Sequence, residues 1–154
     1  MKSSNSIEKV ESESPVAVVT GAGGGIGKAL SRTFARCGYR VALLDVDDVE
    51  LERIYTQLRS YGCDAISLEC DVTDKSQCRD AVEEILDSWG QIDTLVNNAG
   101  ISQRSLFEDT DDDVLERVMA VNCWGAVHMT RACLDSLIES GGQIGVMSSV
   151  AGFA

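Results

Sequence analysis

The stretch "VVTGAGGGIGKAL", residues 18–30, decides how this chain is read. It passes from β-branched apolar residues through Gly21, Gly23, Gly24, Gly25 and Gly27 into a helix-forming run, which puts the glycines at a strand-to-helix hinge. Glycine there permits positive φ and lets the backbone come within contact distance of a diphosphate. The charge of such a group is met by the N–H groups and dipole of the helix N-terminus. The spacing excludes two common variants of this turn. An ATPase phosphate loop needs Gly where Ala22 stands and Ser or Thr where Ala29 stands. The strict G-x-G-x-x-G pattern fails at Ile26, which takes the place of its third glycine. What fits is T-G-x-x-x-G-x-G, from Thr20 to Gly27.

The next apolar run, "VALLD" (41–45), ends in Asp45, 24 residues after Gly21. A carboxylate at the carboxyl edge of a second parallel strand is placed to accept hydrogen bonds from the two hydroxyls of an adenosine ribose. Val46, Asp47 and Asp48 follow, with no Arg or Lys. A ribose 2′-phosphate would face up to three carboxylates, so the pattern favours NAD over NADP. A plain helix N-cap at Asp45 is the alternative, and it leaves the glycines unexplained.

Working outward, short apolar runs at 16–20, 41–45, 65–70, 93–97 and 143–148 alternate with stretches of helical period at about 26–37, 47–61, 74–89 and 111–139. Near-continuous apolar strands are those buried on both faces. Strand–helix–strand repetition means parallel strands joined by right-handed crossovers. The expected fold is therefore α/β, a three-layer, Rossmann-type doubly wound parallel sheet of about five strands over 16–154. Residues 1–15, "MKSSNSIEKVESESP", read as a disordered polar tail without the apolar core of a signal peptide.

Bulk properties narrow the partners. The 154 residues include 25 Asp and Glu against 13 Lys and Arg, a formal charge of −12 that repels phosphate backbones and anionic lipid. Neither nucleic acid nor membrane is expected as a partner, and no apolar run reaches the roughly 20 residues of a membrane helix. The six cysteines form no C-x-x-C pair and the sequence has one histidine, His128, so buried reduced thiols are expected rather than a metal site. A cytoplasmic setting follows. The tract "DTDDD" (109–113) lacks the Gly and Glu of a calcium loop, at Val114 and Ala120, and is expected to cap a helix. His128 has no sequence context for a hydrolase triad and is expected to be a surface or packing residue.

Further motifs bring a resemblance into view. "CDVTD" (70–74), "NNAG" (97–100), "VN" (Val121 and Asn122) and "SSVAG" (148–152) stand in order behind "TGAGGGIG", each between the right elements. The sequence resembles the short-chain dehydrogenase/reductase family from about Val16 to its last residue. The resemblance implies hydride transfer between nicotinamide and an alcohol or carbonyl substrate. It implies that Thr20, Gly21, Gly23, Gly24, Gly25, Ile26, Gly27, Asp45, Asp71, Val72, Asn98, Ala99, Gly100 and Val121 form the NAD site, with Asp71 toward the adenine amino group. Asn122 would bend its helix and hold a water serving the catalytic Lys, and Ser149 would orient the substrate oxygen, with Ser148 ending the strand. A homo-oligomer paired through the long helix is also implied for the full-length form.

In that helix Leu115, Val118, Met119, Asn122, Ala126 and Met129 fall at i, i+3, i+4 spacing, so Asn122 is expected among buried apolar neighbours. The sequence departs from the family in one respect. The family's acid–base pair is Tyr-x-x-x-Lys, but Tyr39, Tyr55 and Tyr61 are followed four residues on by Leu43, Arg59 and Ala65. The chain therefore reads as the N-terminal, cofactor-binding portion of such an enzyme, inactive alone, with the fifth strand left as an edge. The competing reading is a non-enzymatic NAD-binding or regulatory module.

Overall fold

A computed structural model describes residues 14–149. The elements follow the sequence in strict alternation: β1 (Val16–Thr20), α1 (Gly25–Arg36), β2 (Arg40–Asp45), α2 (Asp48–Ser60), β3 (Ala65–Glu69), α3 (Lys75–Trp89) and β4 (Thr94–Asn97). A 3-10 turn (Phe107–Asp109), α4 (Asp112–Met119), a π-helical segment (Ala120–Gly125), α5 (Ala126–Ser140) and β5 (Gln143–Val146) complete the series. The five strands form one sheet in the order β3-β2-β1-β4-β5, and every neighbouring pair is parallel. A crossover helix between successive strands makes that arrangement possible, since parallel neighbours cannot be joined by a hairpin.

The sheet divides two apolar layers because side chains alternate along a strand. Val16, Val18, Ala42, Leu44 and Leu95 face a layer with Val82 and Ile85 of α3 and Met129, Cys133 and Leu137 of α5. Val19, Val41, Leu43 and Val96 face the other layer, with Leu51, Ile54 and Leu58 of α2. All five residues of β1 are buried, as the central strand of a sandwich requires. Residues 1–13, most of the expected polar tail, and 150–154, which include the Val-Ala-Gly of the serine motif, lie outside the described residues.

Several expectations need correction. The helix expected over 111–139 is not uniformly α: its middle widens to π geometry at Ala120–Gly125. Asn122 is exposed rather than buried in the apolar stripe, and so is Met119 before it, because nothing among the described residues covers that face of the helix. β5 ends at Val146, so Ser148 is not its last residue; the strand itself lies at the sheet edge as expected, with all four residues exposed and β4 as its only neighbour in the sheet. Asp111 holds the N-cap position of α4 but makes no side-chain capping bond there; Asp112 and Asp113 complement the dipole from the first turn. Of the six thiols, Cys70, Cys78 and Cys133 are buried, whereas Cys37 and Cys123 are exposed.

Candidate functional site

The carboxyl ends of β1, β2, β3 and β4 open onto one cavity of about 840 Å³. Its floor is the glycine turn. Gly21 adopts φ +63°, and a Cβ there would come within 2.8 Å of the Ala99 Cα, so the turn and the β4 loop pack backbone to backbone. At Gly27 a Cβ would lie 2.1 Å from the Gly21 carbonyl oxygen, which makes glycine the condition for α1 to start so close to β1. A Cβ on Gly25, by contrast, would project into open space. Gly24, the N-cap of α1, has no side chain to cap the helix, so the first-turn N–H groups lack a protein partner of that kind.

Thr20 sits beneath this floor and does not line the cavity. Its hydroxyl donates to the Val96 carbonyl and accepts the N–H groups of Asn98 (2.9 Å) and Ala99 (3.0 Å). The Asn98 amide donates in return to the carbonyls of Thr20 (2.9 Å) and Gly21 (3.1 Å). The two motifs, far apart in sequence, are thus one hydrogen-bonded unit. Next to Asn98, Asn97 is buried and donates to the Thr130 hydroxyl at 3.1 Å, tying β4 to α5.

Asp45 occupies the rim. One carboxylate oxygen accepts the Gly23 N–H at 2.8 Å and the other the Asp47 N–H at 3.1 Å. The N-cap of α2 is Asp47, which accepts the Glu50 N–H, so the capping alternative for Asp45 is excluded. Lys28 pairs with Glu50, which also holds Arg53, and the Glu50 carboxyl lies below its ordinary value chiefly through the Lys28 hydrogen bond. On the far wall, one Asp71 oxygen accepts from both the N–H (2.9 Å) and the hydroxyl (2.8 Å) of Thr73, which fixes the carboxylate in an Asx turn.

The cavity brings together Gly21, Gly23, Gly24, Gly25, Ile26, Gly27, Asp45, Asp71, Val72, Asn98, Ala99, Gly100 and Val121, all but Thr20 of the residues expected to hold a dinucleotide. The two residues expected to serve catalysis also stand outside its lining. Asn122 clamps the loop after β4: its amide oxygen accepts the Ile101 N–H and its amide nitrogen donates to the Ile101 carbonyl, each at 2.9 Å. Ser149 is exposed, three residues beyond the end of β5. Arg117 and Ala120 also line the cavity and were missed, although Arg117 stands four residues before Val121, one helical turn away.

The residues fit a dinucleotide on grounds of form. Open space above Gly25, an uncapped helix start and a carboxylate anchored by the turn itself form a cradle for a diphosphate with its adjoining ribose. No helix of the described residues is long and apolar enough to cross a membrane.

Comparison with known proteins agrees with this geometry. The profile described as "short chain dehydrogenase" matches residues 15–154. An 11-beta-hydroxysteroid dehydrogenase A from Arachis hypogaea is 38% identical over 134 residues, covering 86% of this chain and 38% of the relative. An uncharacterized oxidoreductase from Thermotoga maritima is 37% identical over 136 residues, 86% of this chain and 52% of the relative. Among solved structures, a short chain dehydrogenase/reductase from Burkholderia phymatum in complex with NAD superposes with TM-score 0.88 at 30% identity, over 92% of this chain and 51% of that one. An alcohol dehydrogenase from Thermococcus sibiricus complexed with 5-hydroxy-NADP gives 0.85 at 33%, over 89% and 59%. The chain spans about half the length of most of these relatives.

Proposed function

The chain belongs to the short chain dehydrogenase family, and from that premise we propose that it supplies the NAD-binding part of an oxidoreductase acting on a small alcohol or carbonyl substrate. The observation that carries the reading is Asp45, held by the Gly23 N–H at the rim of the glycine turn. In this position the carboxylate accepts the ribose hydroxyls, the N–H groups of residues 25–27 take the diphosphate, and Asp71 with Val72 receives the adenine. Asn98 keeps the floor rigid, and Ala99 and Gly100 leave room for the ring system beside it. Bound nicotinamide supplies or accepts the hydride; the chain's own part is to bind, orient and exclude water.

Asp45 and Asp47 both line the cavity, so a 2′-phosphate would meet two carboxylates, which favours NAD. Ser149 orients the substrate oxygen, and Asn122 fixes the loop at Ile101 that borders the nicotinamide end. No tyrosine of the sequence is followed four residues on by lysine, so these 154 residues bind the cofactor without carrying out turnover alone. We place the protein in the cytoplasm, where its six free thiols stay reduced, and expect self-association through the exposed apolar side chains Trp124, Leu134 and Ile138.

Titration with NADH and NADPH tests the reading. Saturable NADH binding, several-fold tighter than NADPH, is the expected result; tighter NADPH binding overturns the role of Asp45. A second reading, a binding module without chemistry, needs only the nucleotide cavity described above. The two separate when the titrated protein is assayed with a panel of alcohols and ketones after the missing pair is supplied in a longer form: binding without any turnover selects the module.

A further inference from the structure

Behind the adenine wall, on the outer surface where α3 meets α5, a second cavity of about 450 Å³ opens. Lys75 and Arg79 line it from α3 and Arg131 from α5, against one carboxylate, Glu83. This is an unusual grouping in a chain with 25 acidic and 13 basic residues. The ion pairs among the described residues are Lys28–Glu50, Arg53–Glu50 and Arg59–Asp64, so none of the three groove cations is in one. The nearby Asp74 carboxylate is engaged by the N–H groups of Ser76 and Gln77 at the start of α3. Three like charges gathered about one opposite charge repel one another, and an anion between them removes that repulsion.

The floor of the groove is apolar, formed by Val82, Leu86 and Ala132, so it suits a ligand with a hydrocarbon part. Guanidinium groups from two helices suit an oxyanion, because each offers two parallel N–H donors to two oxygens. We propose that this groove is a binding site for a small organic phosphate, its phosphate held by Arg79, Arg131 and Lys75 and its apolar part laid on the floor. The site is distinct from the nucleotide cavity but shares a wall with it. His128 lines the groove, and its Nδ1 donates to the carbonyl of Val72 at 2.9 Å, while Val72 lines the other side.

The glycine turn also attracts phosphates, so the test must locate the ligand. The 15N-labelled 154-residue chain is titrated with phenyl phosphate, with phenol as the neutral control, and amide shifts are followed residue by residue. Saturable shifts at residues 79–86 and 128–132, at least about tenfold weaker with phenol and in the Arg79→Gln/Arg131→Gln double variant, are expected. Arg79 and Arg131 are exposed, so the variant should keep the amide spectrum of the core and report binding rather than folding. Shifts confined to residues 23–27, no saturation, or an unchanged affinity in the double variant overturn the proposal. It also fails if the variant alters only the sedimentation behaviour, which would make the groove a contact between copies. None of these outcomes touches the NADH titration, which reads the glycine turn.

Discussion

Replacing Gly27 with Ala adds one methyl group, and the structure says where it lands. The new Cβ would sit 2.1 Å from the Gly21 carbonyl oxygen and 2.8 Å from the Ala22 Cα. Ordinary van der Waals contact begins near 3.4 Å, so the first turn of α1 and the glycine turn must separate by more than about 1 Å. Both obstacles are backbone, so no side chain can rotate out of the way. The turn is also pinned from behind, where Asn98 bonds the Thr20 and Gly21 carbonyls. Overpacking of this kind costs about 1–3 kcal/mol, and loss of one of those hydrogen bonds adds about 1 kcal/mol. We expect Gly27→Ala to lose about 3 kcal/mol, a fall of about 2 M in the urea midpoint for a slope near 1.5 kcal/mol per M. Gly25→Ala is the control. Its Cβ meets nothing within 4 Å, and alanine is the better helix former, so stability should hold or rise by a few tenths of a kcal/mol. Because that methyl enters the space proposed for the diphosphate, Gly25→Ala should instead weaken NADH binding. Equal urea midpoints for the two variants would refute the reasoning, since they differ only in what the methyl meets.

Asp45→Asn should weaken NADH binding by about tenfold to a hundredfold, because it removes an ionised acceptor from the rim; calorimetric titration showing the parent affinity would contradict the ribose assignment. Asn122→Ala removes both bonds to Ile101, so a loss of about 1–2 kcal/mol and faster hydrogen exchange at the Ile101 amide are expected; unchanged exchange would show the clamp to be idle. Burial pushes the Cys133 thiol up to about 12 from an ordinary value of 9.0. Below pH 9 folded and unfolded chains both keep that proton, and between 9 and 12 only the unfolded chain releases it. Stability should therefore fall by about 1.4 kcal/mol per pH unit in that window, and the slope should be shallower in Cys133→Ala; identical slopes from urea melts at pH 9–11 argue against it. Maleimide should modify Cys37 and Cys123 in the native protein and spare Cys133, as mass spectrometry of peptides can verify.

Much of this was legible in the chain. β1 falls on 16–20 as the apolar run indicated, and each of the first three helices begins within one residue of its expected start. These elements are specified locally, by period, by β-branched runs and by glycine or aspartate at the boundaries. The π-helical segment was not legible, because any residue can enter it and periodicity analysis assumes 3.6 residues per turn. That assumption is what placed Asn122 in the apolar stripe. Thr20 and Asn98 were read as ligand contacts when much of their hydrogen bonding holds two loops together, a pairing visible only once β1 and β4 are neighbours. Asp45 and Asp47 could not be told apart by sequence, since either carboxylate could have capped α2. The exposure of β5 agrees with its expected place as an edge, since an apolar strand is covered only where other elements supply the cover.

The widened turn at Ala120–Gly125 sets a constraint on length as well as on composition. A π turn holds about one residue more than an α turn, so removing one position between 119 and 126 would let the segment close to plain α geometry while the helices on either side keep their facing. Met129, Cys133 and Leu137 would keep their seats under the sheet and Arg117 its place on the cleft, and the change would fall on the grip that Asn122 has on Ile101. A version one residue shorter there would remain a sound protein whose strap after β4 is no longer fastened.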